Sequence, residues 1–475
     1  MKRIPAICTA LLAAALLLTA CKPQDSAARN DAVQPPRAED APSALPFAVG
    51  QLYDLSWSTV NPPTGCSDGA AFYSLRQLFI TEEGPGKIQS SWLIMRLDFE
   101  TRTQAPLCSL PGCTHENADC PAYLCGILGK DDFALAAVEG QLYVLHAAPA
   151  EALEAADSAE ASPTVWLDAA AADGSGRRRV AELPSGWTLM KSSFPVTDGA
   201  ALYGQYLDLS DDSAHGVRIA LETGEITSFP FGLDDSEELL GAYGDQFILC
   251  RSDETILRIA YPGVIAPERN GLLWSRYGSY DTRSLLLYDP TAGIRTCRNN
   301  GLAQAGLSSI PYMLAQQGKL YYIPTDDFAV PQIVWQIDLL SDTARVLAEF
   351  PAPSADGWRS LEALQLCPAG PDSQEPYLLG SWWNGQNKFF LLDVRDGSVQ
   401  EIGLRYKNSA GDPLCSRPVA QTDSGLWLVP VGRIDSADPW QIEQYLFALA
   451  APETVISGEG EVFPIQMWES PQPLG

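Results

Sequence analysis

The sequence predicts an all-β fold, a β-propeller with seven blades, and two repeated patterns support this prediction. In the first pattern a turn residue, usually Gly, precedes a short aromatic-rich strand. In the second, an apolar strand is followed by an acidic residue, a turn and another strand. The two patterns alternate along the chain, and each recurs seven times. Together they form units of about four short antiparallel strands, which is the size of a propeller blade.

Two segments precede this repeat. Residues 1–20 are predicted to be a signal peptide, because two basic residues precede an apolar run too short for a membrane span. The run ends in Leu-Thr-Ala-Cys, which resembles the lipobox of bacterial lipoproteins and implies that Cys21 carries the lipid; an ordinary signal peptide is the alternative. Residues 22–48 are rich in Pro, Ala, Asp and Ser, and together with Cys21 they form the predicted flexible tether, residues 21–48. The expected location is the extracytoplasmic face of a cell membrane.

Residues 49–475 are predicted to form the propeller. The first pattern places aromatic side chains on pleated strands, which favour them. Its copies are residues 68–75, 139–146, 198–206, 244–250, 317–323, 375–383 and 424–430. The second pattern is typical of a hairpin, as at Glu222-Thr223-Gly224, since Gly adopts positive φ freely in the turn. Its seventh copy has Ala, Leu and Ala at 448–450 in place of the acidic turn.

Other arrangements are less well supported. Six or eight blades are possible counts, because strands from both ends of the chain often complete one blade, and residues 462–468 are the candidate closing strand. The Ala and Glu-rich residues 147–163 are predicted to be an insertion in the second blade, either helical or of low complexity. A sandwich of this length would need several copies, and a solenoid repeats at shorter intervals.

The chain is strongly acidic, with 31 Lys and Arg against 59 Asp and Glu and a net charge of −28. An acidic surface repels phosphate backbones, so nucleic acid is not an expected partner. Cations and cationic or neutral ligands remain as candidates, although the same acidity also serves solubility. A monomer is expected.

An inter-blade segment, residues 108–125, concentrates cysteine and histidine. Four of its residues have the side chains of a Cys3His zinc site: Cys108, Cys113, His115 and Cys120. Thiolates and imidazole suit a borderline-soft ion, and Cys125 is an alternative ligand. A disulfide knot competes with this structural zinc site, because disulfides are allowed outside the cytoplasm. A catalytic centre is disfavoured, since four protein ligands leave no open position on the metal.

The lipobox, the acidic tether, the repeated G-x-L-Y-Y and L-D-x-x-[TD]-G units and the C-x4-C-x-H-x4-C segment together resemble a group of bacterial lipid-anchored β-propeller lipoproteins. The propellers of that group are similar to the TolB-like and low-density-lipoprotein-receptor-like classes. The resemblance covers most of the mature chain. It implies the fold and the location, and it implies no particular activity.

Catalytic signals are sparse. The sequence contains no nucleophile elbow, P-loop or dinucleotide fingerprint. His146 ends a predicted strand, and His215 is expected in an acidic, solvated turn. Exposed aromatic rings can stack on sugars or anchor a protein partner, and Trp274, Trp382 and Trp383 are weak candidates for this role beside ordinary core packing.

The expected function is therefore that of a membrane-anchored extracytoplasmic lipoprotein. Its propeller would act as a binding or interaction scaffold for an extracellular glycan, peptide or envelope protein. The alternative is an extracellular enzyme acting on glycans or peptides with carboxylates and tyrosines at the mouth of the propeller channel. A structural spacer in the envelope is a third reading.

Overall fold

The structure, a computed structural model, confirms an all-β chain arranged as a seven-bladed propeller. The described residues are 45, 47–55, 58–59, 65–82, 88–117, 119–127, 133–147, 165–184, 186–189, 194, 196–208, 213–229, 237–252, 283–297, 312–316, 318–323, 332–350, 360–366, 377–383, 387–407, 411–434 and 444–468. The predicted signal peptide and most of the predicted tether lie outside this part of the chain, as does nearly all of the insertion at 147–163. Within it, no helix is long and apolar enough to cross a membrane.

Each blade is an antiparallel sheet whose four main strands follow one another in the sequence. The first half of the chain contains β1 (Tyr53–Asp54), β2 (Ser58–Thr59), β3 (Cys66–Ser67), β4 (Ala71–Glu82), β5 (Ile88–Asp98), β6 (Thr103–Pro106), β7 (Tyr123–Ile127), β8 (Phe133–Val138), β9 (Gln141–Ala147), β10 (Val165–Ala171), β11 (Arg178–Glu182), β12 (Trp187–Leu189), β13 (Val196–Thr197), β14 (Ala201–Asp208), β15 (Ser213–Ala220) and β16 (Ile226–Phe229). Blade 1 is built on β3–β6, blade 2 on β8–β11 and blade 3 on β13–β16, while β7 and β12 add to blades 1 and 3.

Four further blades and a separate hairpin follow. Their elements are β17 (Glu237–Tyr243), β18 (Gln246–Ser252), β19 (Arg283–Asp289), β20 (Ile294–Cys297), β21 (Tyr312–Gln316), β22 (Lys319–Ile323), β23 (Gln332–Asp338), β24 (Thr343–Phe350), β25 (Ser360–Leu366), β26 (Tyr377–Trp383), β27 (Asn387–Asp393), β28 (Val399–Glu401), β29 (Arg405–Lys407), β30 (Pro413–Cys415), β31 (Ala420–Gln421), β32 (Trp427–Ile434), β33 (Gln444–Ala450), α1 (Pro452–Ser457) and β34 (Val462–Pro464). Blades 4 to 7 are β17–β20, β21–β24, β25–β28 and β31–β34, and β29–β30 is the hairpin.

The two sequence patterns correspond to fixed places in a blade. Every copy of the first pattern overlaps the second strand of its blade, and aromatic side chains such as Tyr73, Tyr203 and Phe247 are buried there. Six copies of the second pattern are the hairpin of the third and fourth strands. The seventh is different: the short helix α1 stands between β33 and β34, where the acidic turn is missing from the sequence.

Glycine allows neighbouring blades to approach closely at these hairpins. Gly174 and Gly224 have φ of 82° and 71° and lie in the turns between the third and fourth strands of blades 2 and 3. A Cβ atom at either position would collide with a backbone carbonyl of the preceding blade, that of Leu107 or that of Val180. Any other residue would therefore meet both backbone strain and a steric clash.

The first strands of neighbouring blades lie side by side, as β3 does with β8 and β17 with β21, so they form the wall of the central channel. The turns between strands one and two and between strands three and four lie at one end of the channel, which we call the short-turn face. The connections between strands two and three, and those between blades, lie at the other end, the long-connection face. The strands that bound residues 148–164, 253–282 and 298–311 have their ends at this face; the three ranges themselves lie outside the described part of the chain.

The N-terminal segment, from Leu45 to Thr59, follows the channel. At the short-turn face, the backbone N–H of Leu45 donates to Pro290 and that of Leu52 donates to Gly244. β1 then pairs with β13, and β2 pairs with β8 near the long-connection end. Both are first strands, so the segment adds to the inner edge of blades 3 and 2. The channel is thereby narrowed by the chain's own N-terminal part.

Blade 7 is completed by its own strand, because β34 pairs with β33. The predicted closing strand at 462–468 therefore belongs to the blade that precedes it. It also touches blade 1: Gln466 forms a parallel bridge with Thr103 of β6. Within the described part of the chain, the two ends of the ring meet without sharing a sheet.

Candidate metal centre

The cysteine-rich segment interrupts the outer strand of blade 1. β6 pairs with Met95–Asp98 and β7 with Gln89–Leu93, two successive parts of β5. β6 and β7 thus continue one outer edge, and residues 107–122 are an excursion between them. The sequence places this segment in the connection between blades 1 and 2. The structure corrects this, because the pairing of Tyr123–Ile127 with β5 returns the chain to blade 1 first.

Four side chains of this excursion converge. The ligand atoms of Cys108, Cys113, His115 and Cys120 all lie within 4.8 Å of one another. His115 Nδ1 is 3.2 Å from Cys120 Sγ. None of the cysteines whose side chains are described forms a disulfide: Cys66, Cys108, Cys113, Cys120 and Cys415. The cluster therefore has the composition and the convergence of a metal-binding group.

Tight turns produce this convergence. The N–H of Cys113 donates to Leu110 O at 3.3 Å and that of Cys120 donates to Asn117 O at 3.1 Å. His115 adopts a φ of 62°, a conformation that costs energy for a residue with a Cβ. A strained histidine between two cysteine-bearing turns is expected where a bound group compensates the strain.

The electrostatics fit a cation at the centre. Burial raises the pKa of the Cys108 thiol and raises that of Cys120 to about 12, while burial lowers the pKa of His115. The imidazole is therefore kept neutral with a free lone pair. The thiols would be protonated in the absence of a cation, and a metal ion would displace those protons when it binds.

The excursion is seated on blade 2 by a buried ionic cluster. Arg177 donates to Pro121 O at 2.7 Å and to Tyr123 O at 3.0 Å, and its other nitrogens bind Asp168. His146 Nε2 and Arg179 Nε also bind Asp168, at 3.0 and 2.6 Å. Burial alone would raise the pKa of the Asp168 carboxyl, but hydrogen bonds and charge from His146 and the two arginines hold it well below its usual range.

Sequence reasoning missed this cluster. The available signal was an acidic residue inside the apolar strand β10, followed by the basic run Arg177–Arg179. His146 is a buried member of the cluster, with 5% of its surface exposed. His215 lies inside β15 beside Tyr206, at 5.4 Å between ring centroids, and not in the expected turn.

A second neighbour of the excursion comes from the C-terminus. The ring of Trp468 stands edge-on to that of His115, with 6.1 Å between centroids. The guanidinium of Arg76 lies 4.9 Å from the Trp468 ring centre, and its Nη1 donates to Trp468 O at 2.9 Å. The excursion that carries the Cys3His cluster is thus in contact with blades 1 and 2 and with the segment that leaves blade 7.

The remaining candidates fall largely outside the described side chains. Cys125 lies on β7 opposite Ser91, and Trp382 and Trp383 lie on β26, but their side chains are not described. Trp274 lies outside the described residues altogether. These predictions therefore remain untested.

A cleft of about 580 Å³ opens on the short-turn face between blades 2 and 3. Its charged lining includes both signs: Glu139, Arg178, Arg218, Glu222 and Glu225. This mixture favours no single class of ligand.

No protein-family model matches the chain, and no curated protein is significantly similar to it. Solved propeller structures are similar in outline. An oligogalacturonate lyase in complex with manganese is 13% identical with a TM-score of 0.39, over 86% of this chain and 100% of that one. The β-propeller domain of the Trilobed protease from Pyrococcus furiosus is 7% identical with a TM-score of 0.43, over 89% and 100%.

TolB from Acinetobacter baumannii is 13% identical with a TM-score of 0.33, over 82% of this chain and 81% of that one. These neighbours include enzymes as well as TolB. At such identities and TM-scores they carry no conclusion about what this chain binds or catalyses.

Proposed function

We propose that this protein is a lipid-anchored extracytoplasmic scaffold whose propeller binds a partner at its long-connection face. The observation that carries the proposal is the path of the N-terminal segment, which enters the ring at the short-turn face. A tether that begins at a lipidated Cys21 would reach the propeller on that side. The long-connection face would then point away from the membrane, towards an extracellular glycan, peptide or envelope protein.

The distribution of connections agrees with this orientation. The long connections 148–164, 253–282 and 298–311 all begin and end at the long-connection face. Propellers commonly bind through such connections, which tolerate variation while the blades hold them in place.

The test is a binding panel of envelope glycans, peptides and lipoproteins, applied to the full-length protein in mild detergent. We expect binding without turnover, with slower amide exchange at residues that border the long connections, such as Ser252 and Ile434. Amides of the short-turn face, such as Leu340, should not change. Turnover of a panel member would replace the scaffold by the enzyme, and protection at Leu340 alone would reverse the orientation.

We propose further that the Cys3His cluster holds a structural zinc ion. A tetrahedral zinc with Zn–S bonds of about 2.3 Å places its ligand atoms roughly 3.8 Å apart. The observed limit of 4.8 Å between all four ligand atoms is close to that geometry. Three thiolates and an imidazole are soft enough for zinc and fill its four positions, so the ion would be structural.

Metal content and free thiols per chain test the zinc proposal. We expect about one zinc per chain in the unaltered protein and none in His115→Ala. No metal together with missing thiols would instead establish the disulfide knot. The variant Cys415→Ser, whose buried cysteine lies outside the cluster, should retain the zinc.

A further inference from the structure

The ring has one interface that the chain itself does not join. Consecutive blades are linked through the backbone, but blades 7 and 1 are neighbours in the ring that come from opposite ends of the chain. We call their interface the seam. Its inner part is apolar, with Phe72 of blade 1 packed 6.0 Å from Phe447 of blade 7, centroid to centroid. Its outer part contains two backbone hydrogen bonds, from Gln104 N–H to Gln466 O at 2.8 Å and from Gln466 N–H to Arg102 O at 2.9 Å, and the Arg102 guanidinium lies 5.4 Å from the centre of the Phe463 ring.

These two bonds are weak by themselves. Gln466 is exposed, so water competes for its backbone groups. Anchoring points lie on both sides of Gln466 in the chain: Ile465 is buried in the apolar cluster that blades 7 and 1 share, and Trp468 is packed against the core of blade 1. The Trp468 ring is held between the guanidinium of Arg76 and the imidazole of His115.

Besides the Trp468 ring, His115 contacts its own cluster. Its φ of 62° is unfavourable, and its Nδ1 faces Cys120 Sγ within the group of four ligand atoms. A metal bound there fixes the imidazole plane and thereby one wall of the Trp468 site. Without the metal, the imidazole of His115 is free to change its orientation beside Trp468.

We infer that metal binding at the Cys3His centre stabilises the closed seam between blades 7 and 1, and we call this role the lock. Metal binding holds His115 against Trp468, Trp468 holds Gln466 beside β6, and the seam stays shut. The lock rests on the proposed zinc site but is a separate claim, because a closed zinc site could equally stabilise blade 1 alone.

Coupling between the metal and the seam is reciprocal, and this provides the test. If metal removal increases opening of the seam by a given factor, breaking the seam contact must weaken metal binding by the same factor. Amide exchange of Gln104 and Gln466 measures the opening, and competition with a chromogenic chelator measures the affinity for zinc. Both are measured on the full-length protein.

On chelation we expect the exchange of these two amides to rise about tenfold, the scale of a local opening, while Leu339 N–H, which bonds Gly318 O in blade 5, stays unchanged. Trp468→Ala should keep one zinc per chain and bind it about tenfold more weakly. Trp187→Ala, which removes a ring stacked on Tyr206 in blade 3, is the matched control and should leave the zinc affinity unaltered.

Two results overturn the lock. One is stoichiometric zinc with equal exchange at Gln104 and Gln466 before and after chelation, which leaves the zinc site standing. The other is Trp468→Ala with unaltered zinc affinity. Absence of zinc from the unaltered protein removes the zinc site and the lock together.

Discussion

Neighbouring blades pack differently at the interface between blades 2 and 3 and at the seam between blades 7 and 1. Blade 3 fits against blade 2 through Gly224, whose turn approaches the carbonyl of Val180, and Arg178 of blade 2 donates to Leu221 O at 3.0 Å. The seam has no glycine at the matching place: Arg102 occupies that turn with a φ of 55° and accepts a bond from Gln466.

A turn without glycine is not peculiar to the seam, because Asp342 occupies the matching place in blade 5 with a φ of 52°. What distinguishes the seam is chain connectivity. Neighbouring blades inside the ring are already close in sequence, so shape complementarity suffices to hold them. The seam must bring distant parts of the chain together, and closing so long a loop costs additional entropy. Extra contacts are therefore needed there. The backbone bridge and Trp468 provide such contacts, and in our proposal the Cys3His cluster supports them.

The largest effect is expected from Cys120→Ser, which replaces a proposed zinc ligand with 1% of its surface exposed. We expect loss of the bound zinc and a clear fall in the melting temperature, because binding free energy of a structural zinc contributes directly to folding. Elemental analysis and calorimetry are the measurements. Cys415→Ser should retain the zinc, and equal zinc loss in both variants would contradict the site.

Asp168→Ala should have the next largest effect, because it leaves Arg177 and Arg179 without their shared carboxylate. Breaking a buried ion pair by removing one partner costs about 3 to 5 kcal/mol of unfolding free energy. Urea unfolding measures this cost. A loss below about 1 kcal/mol, the value of an exposed pair, would show that the cluster does not anchor the excursion.

The same carboxylate predicts a pH dependence. Its pKa is lower in the folded protein than in the unfolded chain, so its contribution is fully present above the unfolded value of about 3.9 and is lost as the pH falls below it. Urea unfolding between pH 6 and pH 3 should show stability falling with pH. Asp168→Asn should flatten this fall, and an unchanged slope would assign it to other carboxylates.

Gly174→Ala tests the close approach between blades 1 and 2. The added Cβ meets the carbonyl of Leu107 at a positive φ, and we expect a loss of about 3 kcal/mol. Gly176→Ala, in the same turn with open space around it, should cost only the backbone strain, about 1 kcal/mol. Equal losses in the two variants would exclude the close approach.

Tyr73→Phe and Tyr203→Phe should give the smallest effects. Each hydroxyl donates to the aspartate of its own turn, Tyr73 to Asp68 at 2.8 Å and Tyr203 to Asp198 at 2.7 Å. Each substitution should cost about 1 kcal/mol, since each removes the bond between a hydroxyl and its aspartate. The Tyr73 hydroxyl also lies 3.4 Å from Ala172 O of blade 2, a contact that Tyr73→Phe removes as well. A much larger cost at Tyr73 would mean that the seam makes blade 1 more sensitive than blade 3.

Much of the fold was predictable because repetition multiplies a weak local signal. One run such as residues 198–206 predicts only a strand, but seven with matching hairpins predict blades. The helix α1 was not predicted, although the sequence does lack the acidic turn at 448–450. β1 and β2 were missed because each has two residues, too few to display an alternating pattern.

The candidate site was predictable in its composition and not in its surroundings. Cysteine and histidine are rare enough for their clustering to be visible in the sequence. Trp468 and Arg177 are separated from the cluster by long stretches of chain, and ordinary residues of these types occur elsewhere. Only the pairing of blades shows that they meet it.

The path of the N-terminal segment constrains the order of folding. Leu45 to Thr59 precede every blade in the sequence, yet Gln51 bonds to Gly244, 193 residues further along the chain. The segment therefore completes its contacts only once blades 2, 3 and 4 have formed. Contacts of such long range slow folding, so a ring that closed early would leave its first residues outside.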